Sequence, residues 1–404
     1  MIKNFRTALV AGVALGCFAL PLNASAADMK IGFLGGFTGP IESLMPPIAD
    51  GAKMAISEVN AAGGVLGGKT IEVVTADTTC VDATKASDAA DRLVNVEKVV
   101  AIVGAQCSGS TIAAANGIAI PAGVAMISPA STSPAITALD DKDLVFRTAP
   151  SDAFQGEVLS RLILSKGIKS VALTYVNNDY GKGFSASFAK AFAANGGTVT
   201  ASEAHEDGKA DYRAEIGSLA SAGGDALVIL AYGDGSGQTI TRQVLESGDF
   251  DKFFGGDGMI SSAFVKAMAG ALDGKFTVTS PGSSGGMGTD TFTKAAEAAK
   301  VNHKSPFVGN SYDAAFILAL AIEQAGSMDR GAIAKAIRDV ASAPGEVINP
   351  GEWAKAVAAI KAGKGVNYEG AVGSHEFDAA GDVAGTYDEA RVENGAVKII
   401  GPLK

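Results

Sequence analysis

Short apolar runs alternate with longer amphipathic ones through almost the whole chain. Residues 30–34, Lys30-Ile31-Gly32-Phe33-Leu34, read as a buried strand. A Gly/Pro loop then leads into 48–60, where Ala52, Met54, Ala55, Ile56 and Val59 form an apolar stripe at helical spacing. The same rhythm predicts strands at 70–74, 99–103 and 123–127, with a helix over 83–96. A second series predicts helices at 155–164, 181–194, 212–220 and 238–247 around strands at 170–175, 198–203 and 226–231. Alternation of this kind builds βα units on parallel sheets, with ligands outside the carboxyl ends of the strands. The stretch Phe146-Arg147-Thr148-Ala149-Pro150 reads as a boundary between two such sheets, and a second boundary is expected near 274–276, before a strand at 277–279. The later helices, 316–324, 332–340 and 353–362, must pack on one sheet or the other. The pattern is that of two α/β lobes with a cleft where the strand-end loops meet.

Two of those loops are rich in hydroxyls. Cys107-Ser108-Gly109-Ser110-Thr111 follows the run at 99–103 and precedes a helix expected from near Ile112. Ser128-Pro129-Ala130-Ser131-Thr132-Ser133 follows the run at 123–127. Side-chain hydroxyls beside the free N–H groups of a helix start suit a small anion or a polar ligand held by hydrogen bonds. The same residues also suit two ordinary capped turns, and the pattern alone leaves both readings open.

The chain ends and the charge narrow the class. Lys3 and Arg6, an apolar run from 7 to 22, and Ala24-Ser25-Ala26 have the form of an export signal over 1–26, cleaved after Ala26. Lipid attachment at Cys17 is a poorer alternative. Net charge is −10 for the 404 residues and becomes −12 without the signal. No Lys/Arg cluster suits nucleic acid or an anionic surface. Cys80 and Cys107 remain, and in an oxidising compartment such a pair reads as a disulfide. A nucleophilic Cys107 would need a histidine, and His205, His303 and His375 sit in no catalytic-looking context.

Two motifs match a pattern and fail on context. Gly63-Gly64-Val65-Leu66-Gly67-Gly68-Lys69-Thr70 fits a phosphate-binding loop, but a helix precedes it and a strand follows, the reverse of what that loop needs. Gly282-Ser283-Ser284-Gly285-Gly286 fits a nucleophile elbow, and Asp313 and His375 could complete a triad with Ser284. The expectation is that Gly286-Met287-Gly288-Thr289 prolongs the loop instead of starting a helix. No spacing suits metal ligation, and no cofactor is implied.

Taken together these features resemble the periplasmic leucine/isoleucine/valine-binding proteins, the substrate-binding components of branched-chain and related amino-acid ABC transporters. The resemblance runs from about Met29 to Lys404. It is carried by Gly36-Phe37-Thr38-Gly39-Pro40, Val59-Asn60-Ala61-Ala62-Gly63-Gly64, Asp77-Thr78-Thr79-Cys80, Cys107-Ser108, Ser128-Pro129-Ala130-Ser131-Thr132, Asn178-Asp179-Tyr180-Gly181-Lys182-Gly183 and Tyr312-Asp313-Ala314. It implies a type I periplasmic binding fold with three crossovers, the third near 382–385. Lobe 1 would comprise 27–148 and 277–383, and lobe 2 would comprise 149–276 and 384–404. It further implies that Ser108, Ala130 and Thr132 hold a ligand carboxylate and part of its ammonium group. Asp257 would face the ammonium, and Tyr180 and Tyr232 would close over the ligand. Leu44 stands where branched-chain binders carry a tyrosine, which points to an apolar or aromatic amino acid, or an amide. The implied working form is a periplasmic monomer that delivers its ligand to membrane permease subunits. A binder of small amides or carboxylates lacking an α-amino group, and a Ser284 hydrolase, are the alternatives.

Overall fold

The computed structural model describes Met1 and residues 27–403. The export signal and Cys17 lie outside the described residues. Among the described residues fourteen strands form two large sheets and one small one. The first sheet is all parallel, with β1 (Met29–Gly35), β2 (Ile71–Asp77), β3 (Ile102–Val103), β4 (Met126–Ser128) and β5 (Val145–Arg147) in the order β2-β1-β3-β4-β5. β1 is apolar and buried along nearly its whole length, as a central strand covered on both faces must be.

The second sheet contains β6 (Ser170–Val176), β7 (Thr198–His205), β8 (Ala226–Leu230), β9 (Phe253–Gly255) and β10 (Phe276–Pro281). These pair in parallel in the order β7-β6-β8-β9-β10. A small parallel pair, β11 (Glu346–Ile348) and β12 (Val366–Tyr368), lies apart from both large sheets. β13 (Tyr387–Glu393) and β14 (Ala396–Leu403) then extend the second sheet in antiparallel fashion beyond β10.

The 277–279 strand expected at the start of the second segment of lobe 1 is therefore a correction. It is β10, hydrogen-bonded to β9 and β13, and the chain leaves the second sheet only after Pro281. The boundary signal at Gly274 was a tight turn: its φ is 72° and its N–H donates to Val392 O. After Pro281 the chain returns to the first lobe, where the buried helix Val308–Ala325 packs on the helix Met45–Ala61 and on β3 and β4. It re-enters the second sheet at Tyr387.

Two helix starts also differ from expectation. The helix expected near Ile112 begins at Ser108, with Cys107 as its extended N-cap. Ser and Gly are poor helix formers, so the periodic signal emerged only after the first turn. A helix likewise begins at Met287, directly after Gly286, so the 282–286 loop is not prolonged.

Candidate functional site

The carboxyl ends of parallel strands from both sheets converge on one cleft. From the first lobe, the loop after β1 leads to Leu44, the loop after β3 carries Gln106, Cys107 and Ser108, and the loop after β4 carries Ala130. From the second lobe, Tyr180 follows β6, Tyr232 follows β8 and Asp257 follows β9. Six of the seven residues expected from the sequence thus line one cavity of about 30 Å³; Thr132 is buried next to it in the same turn as Ala130.

Each side chain is held by its local structure. Ser108 Oγ accepts from Ser133 N at 3.1 Å, which leaves its own proton free to donate. Thr132 is buried, and its carbonyl accepts from Asp152 N at 2.8 Å. Tyr180 sits in the first turn of the helix Asp179–Ala194, whose cap is Asn178 Oδ1 accepting from Gly181 N at 3.0 Å. Its hydroxyl donates to Asp257 Oδ1 at 3.3 Å and accepts from Gly258 N at 3.2 Å. Its ring stacks on Tyr232 with centroids 5.2 Å apart. The glycines around Asp257 have a steric cause: a Cβ on Gly256 would meet Phe184 Cε1 at 2.2 Å, and one on Gly258 would meet Ala231 O at 2.6 Å.

The carboxyls of the cleft are not at their ordinary affinity for protons. Burial pushes Asp257 up to about 6, opposed by hydrogen bonds from Gln155, Tyr180 and the local backbone. Asp152, fully buried at the start of the helix Asp152–Ser165, is pushed up by burial first and by the charge of Asp257 second. Two close buried carboxyls cannot both ionise cheaply, so the pair retains a proton well above the usual carboxylate range. Burial also raises the Tyr180 and Tyr232 hydroxyls, which stay neutral donors.

The sequence reading missed Gln106, Asp152, Gln155 and Phe307. Asp152 follows Ser151 in what reads as a standard capped helix start, so nothing marked it as a cleft residue. Phe307 adopts φ 65° just before a helix, for which no sequence signal exists.

The lobes touch across the mouth of the cleft. Ser43 N donates to Asp234 Oδ2 at 3.0 Å, Ser43 Oγ meets Ser261 Oγ at 3.2 Å, and Ser133 Oγ donates to Asp179 O at 2.8 Å. At the crossovers, the buried Arg147 binds Asp382 through Nε at 2.5 Å and Nη2 at 2.6 Å. Cys80 and Cys107 form a disulfide with Cα atoms 5.4 Å apart, tying the loop after β2 to the loop after β3.

The other motifs fall elsewhere. Val65 pairs with Lys69 in a tight turn between a helix and β2, so the glycine-rich loop has no phosphate-binding context. Ser284 is exposed and its Oγ approaches Val372 O at 3.4 Å. It borders a separate cavity of about 250 Å³ along the crossovers, which His375 also lines. His375 Nε2 lies 3.4 Å from Asp313 Oδ2, but that carboxylate accepts from Tyr368 Oη and from the N–H groups of Ala371 and Val372, as a structural anchor would. Among the described residues no cluster could hold a metal ion, and no helix is long and apolar enough to cross a membrane.

Two α/β lobes that meet over a desolvated cleft with a few polar groups have the build of a solute-binding protein. The chain belongs to the periplasmic binding protein family, whose model matches residues 28–382. It is 32% identical over 335 residues to the leucine-, isoleucine-, valine-, threonine- and alanine-binding protein of Pseudomonas aeruginosa, covering 82% of this chain and 87% of that one. It is 28% identical over 342 residues to the Leu/Ile/Val-binding protein of Escherichia coli K12, covering 84% and 90%. Among solved structures, it resembles a leucine-binding protein of Thermotoga maritima with a TM-score of 0.78 at 27% identity, over 93% of this chain and 99% of that one. A branched-chain amino-acid transporter substrate-binding protein of Streptococcus pneumoniae, in complex with isoleucine, matches with a TM-score of 0.75 at 28% identity over the same shares.

Proposed function

We propose that this protein captures an α-amino acid between its lobes in the periplasm and delivers it, as a monomer freed of its signal after Ala26, to the permease subunits of an ABC transporter. The observation that carries the reading is Asp257, a carboxyl only 4% exposed that shares a small cavity with the Ser108 hydroxyl and the Ala130 turn. A zwitterion needs donors at one end and an acid at the other, both desolvated together. Ser108, with Ala130 and Thr132, would take the carboxylate and part of the ammonium. Asp257 would take the remaining charge of the ammonium, while Asp152, pushed up by burial and by the charge of Asp257, favours its neutral form. Tyr180 and Tyr232 would cover the ligand from the second lobe, and Leu44 would wall its side chain. A ligand without an amine would leave Asp257 buried and unpaired, which disfavours simple carboxylates and amides.

A thermal-shift panel of amino acids, amides and small carboxylates tests this. An α-amino acid at a hundredfold excess over its Kd should stabilise the protein by about 2.7 kcal/mol. Stabilisation by amides or carboxylates alone, with none from any α-amino acid, would overturn the reading.

A further inference from the structure

Gln106 is 5% exposed, and neither its Oε1 nor its Nε2 has a hydrogen-bond partner among the described residues. It lines the cleft cavity together with Ile41, Leu44, Ile48 and Phe307, the apolar residues that would surround a ligand side chain. A buried primary amide with both its donor and its acceptor unmade is costly, and folding retains such a group where something else completes it.

Gln106 has little freedom to turn away. The next residue, Cys107, is pinned to Cys80 by the disulfide. Two residues earlier, Gly104 takes φ 125°, where a Cβ would lie 2.5 Å from Leu34 O, so the backbone is pressed against β1. The amide is thus presented to the cleft by a braced loop.

The cavity lining fixes what can meet it. Among the described residues no Lys or Arg lines the cavity, so an acidic ligand side chain would be buried without a counter-charge. Its one carboxylate, Asp257, is taken by the α-ammonium, which leaves none for a cationic side chain. We infer that Gln106 is a specificity determinant that selects α-amino acids whose side chain is neutral but carries a hydrogen-bonding group, a hydroxyl or a carboxamide, on a short apolar stem. This rests on the α-amino-acid reading above and departs from the apolar or aromatic amino acid, or amide, expected from the sequence. The discrimination arises because an apolar isostere would seal the cleft with the Gln106 amide still unpaired.

Calorimetric titration of the purified protein with two near-isosteric pairs, L-threonine against L-valine and L-asparagine against L-leucine, tests the inference. At least one polar member should bind about tenfold or more tightly than its apolar isostere. Gln106→Leu should shift that ratio toward the apolar member by a similar factor. Apolar members that bind as well as or better than both polar ones overturn the inference while leaving the amino-acid reading intact. An unchanged ratio in Gln106→Leu also overturns it. Binding of no α-amino acid in a wider panel overturns both. The ratios in the unmodified protein carry the test by themselves if the variant does not fold.

Discussion

At the scale of single residues, the cleft is defined by protonation. Asp257 is held up to about 6 by burial, and the fully buried Asp152 beside it is pushed up by burial and by the charge of Asp257 and drawn back by Arg147. The folded form therefore binds protons more tightly than the unfolded chain. That contribution to stability is present below about pH 4 and is lost as pH rises through about 6. Capture of an ammonium works in the opposite sense, because it needs the carboxylate ionised. Amino-acid affinity should rise between pH 5 and 7, and binding at pH 6 should release protons, read as a dependence of the calorimetric heat on the ionisation enthalpy of the buffer. Affinity that is flat from pH 5 to 7 would count against Asp257 as the ammonium partner. A second residue-scale outcome concerns Tyr180→Phe, which leaves the buried Gly258 N–H without its acceptor and Asp257 without one donor. It should cost about 1–3 kcal/mol in urea unfolding and weaken the ligand in parallel.

At the scale of elements, the loops after β2 and β3 are one unit because the disulfide joins them across 27 positions of sequence. The double replacement Cys80→Ser, Cys107→Ser should destabilise the protein by about 3–4 kcal/mol in urea or guanidinium unfolding, on the loop-closure argument. This unit also shows what was legible in the sequence. Strand and helix alternation, the two hydroxyl turns and the cysteine pair could all be read from periodicity and composition, because each is a local or compartmental signal. Asp257 and the two tyrosines were legible only through resemblance, since no local pattern relates a turn after β9 to a helix start after β6. The start of the helix at Ser108 was hidden by residues of low helical propensity. The position of the second crossover was hidden by Gly274, whose turn looks the same from the sequence whether the chain changes lobe or stays. Gln106 was missed because a glutamine beside a cysteine carries no periodic signal; only burial without partners sets it apart.

At the scale of the whole molecule, three crossovers join the two large sheets, and the proposed capture would turn the lobes about them. Arg147 ends β5 at the first crossover, and Asp382 precedes the third, so the ion pair of the buried Arg147 with Asp382 joins two of the crossovers. Asp382→Asn leaves the Arg147 guanidinium buried with Ser133 O and Thr137 Oγ1 as its remaining hydrogen-bond acceptors among the described residues, besides the new amide. It should cost about 3 kcal/mol or more in equilibrium unfolding. The contacts of Ser43 with Asp234 and Ser261 close the mouth of the cleft, so the ligand must enter when the lobes part and is sealed when they meet. The central claim is that the sealed cleft recognises both charges of a zwitterion. It is tested most directly by titrating the protein calorimetrically with the tightest-binding L-amino acid and with the α-hydroxy acid of the same side chain. The amino acid should bind at least about a hundredfold more tightly, because the hydroxy acid leaves Asp257 buried without its cation. Equal affinity for the two would contradict the account.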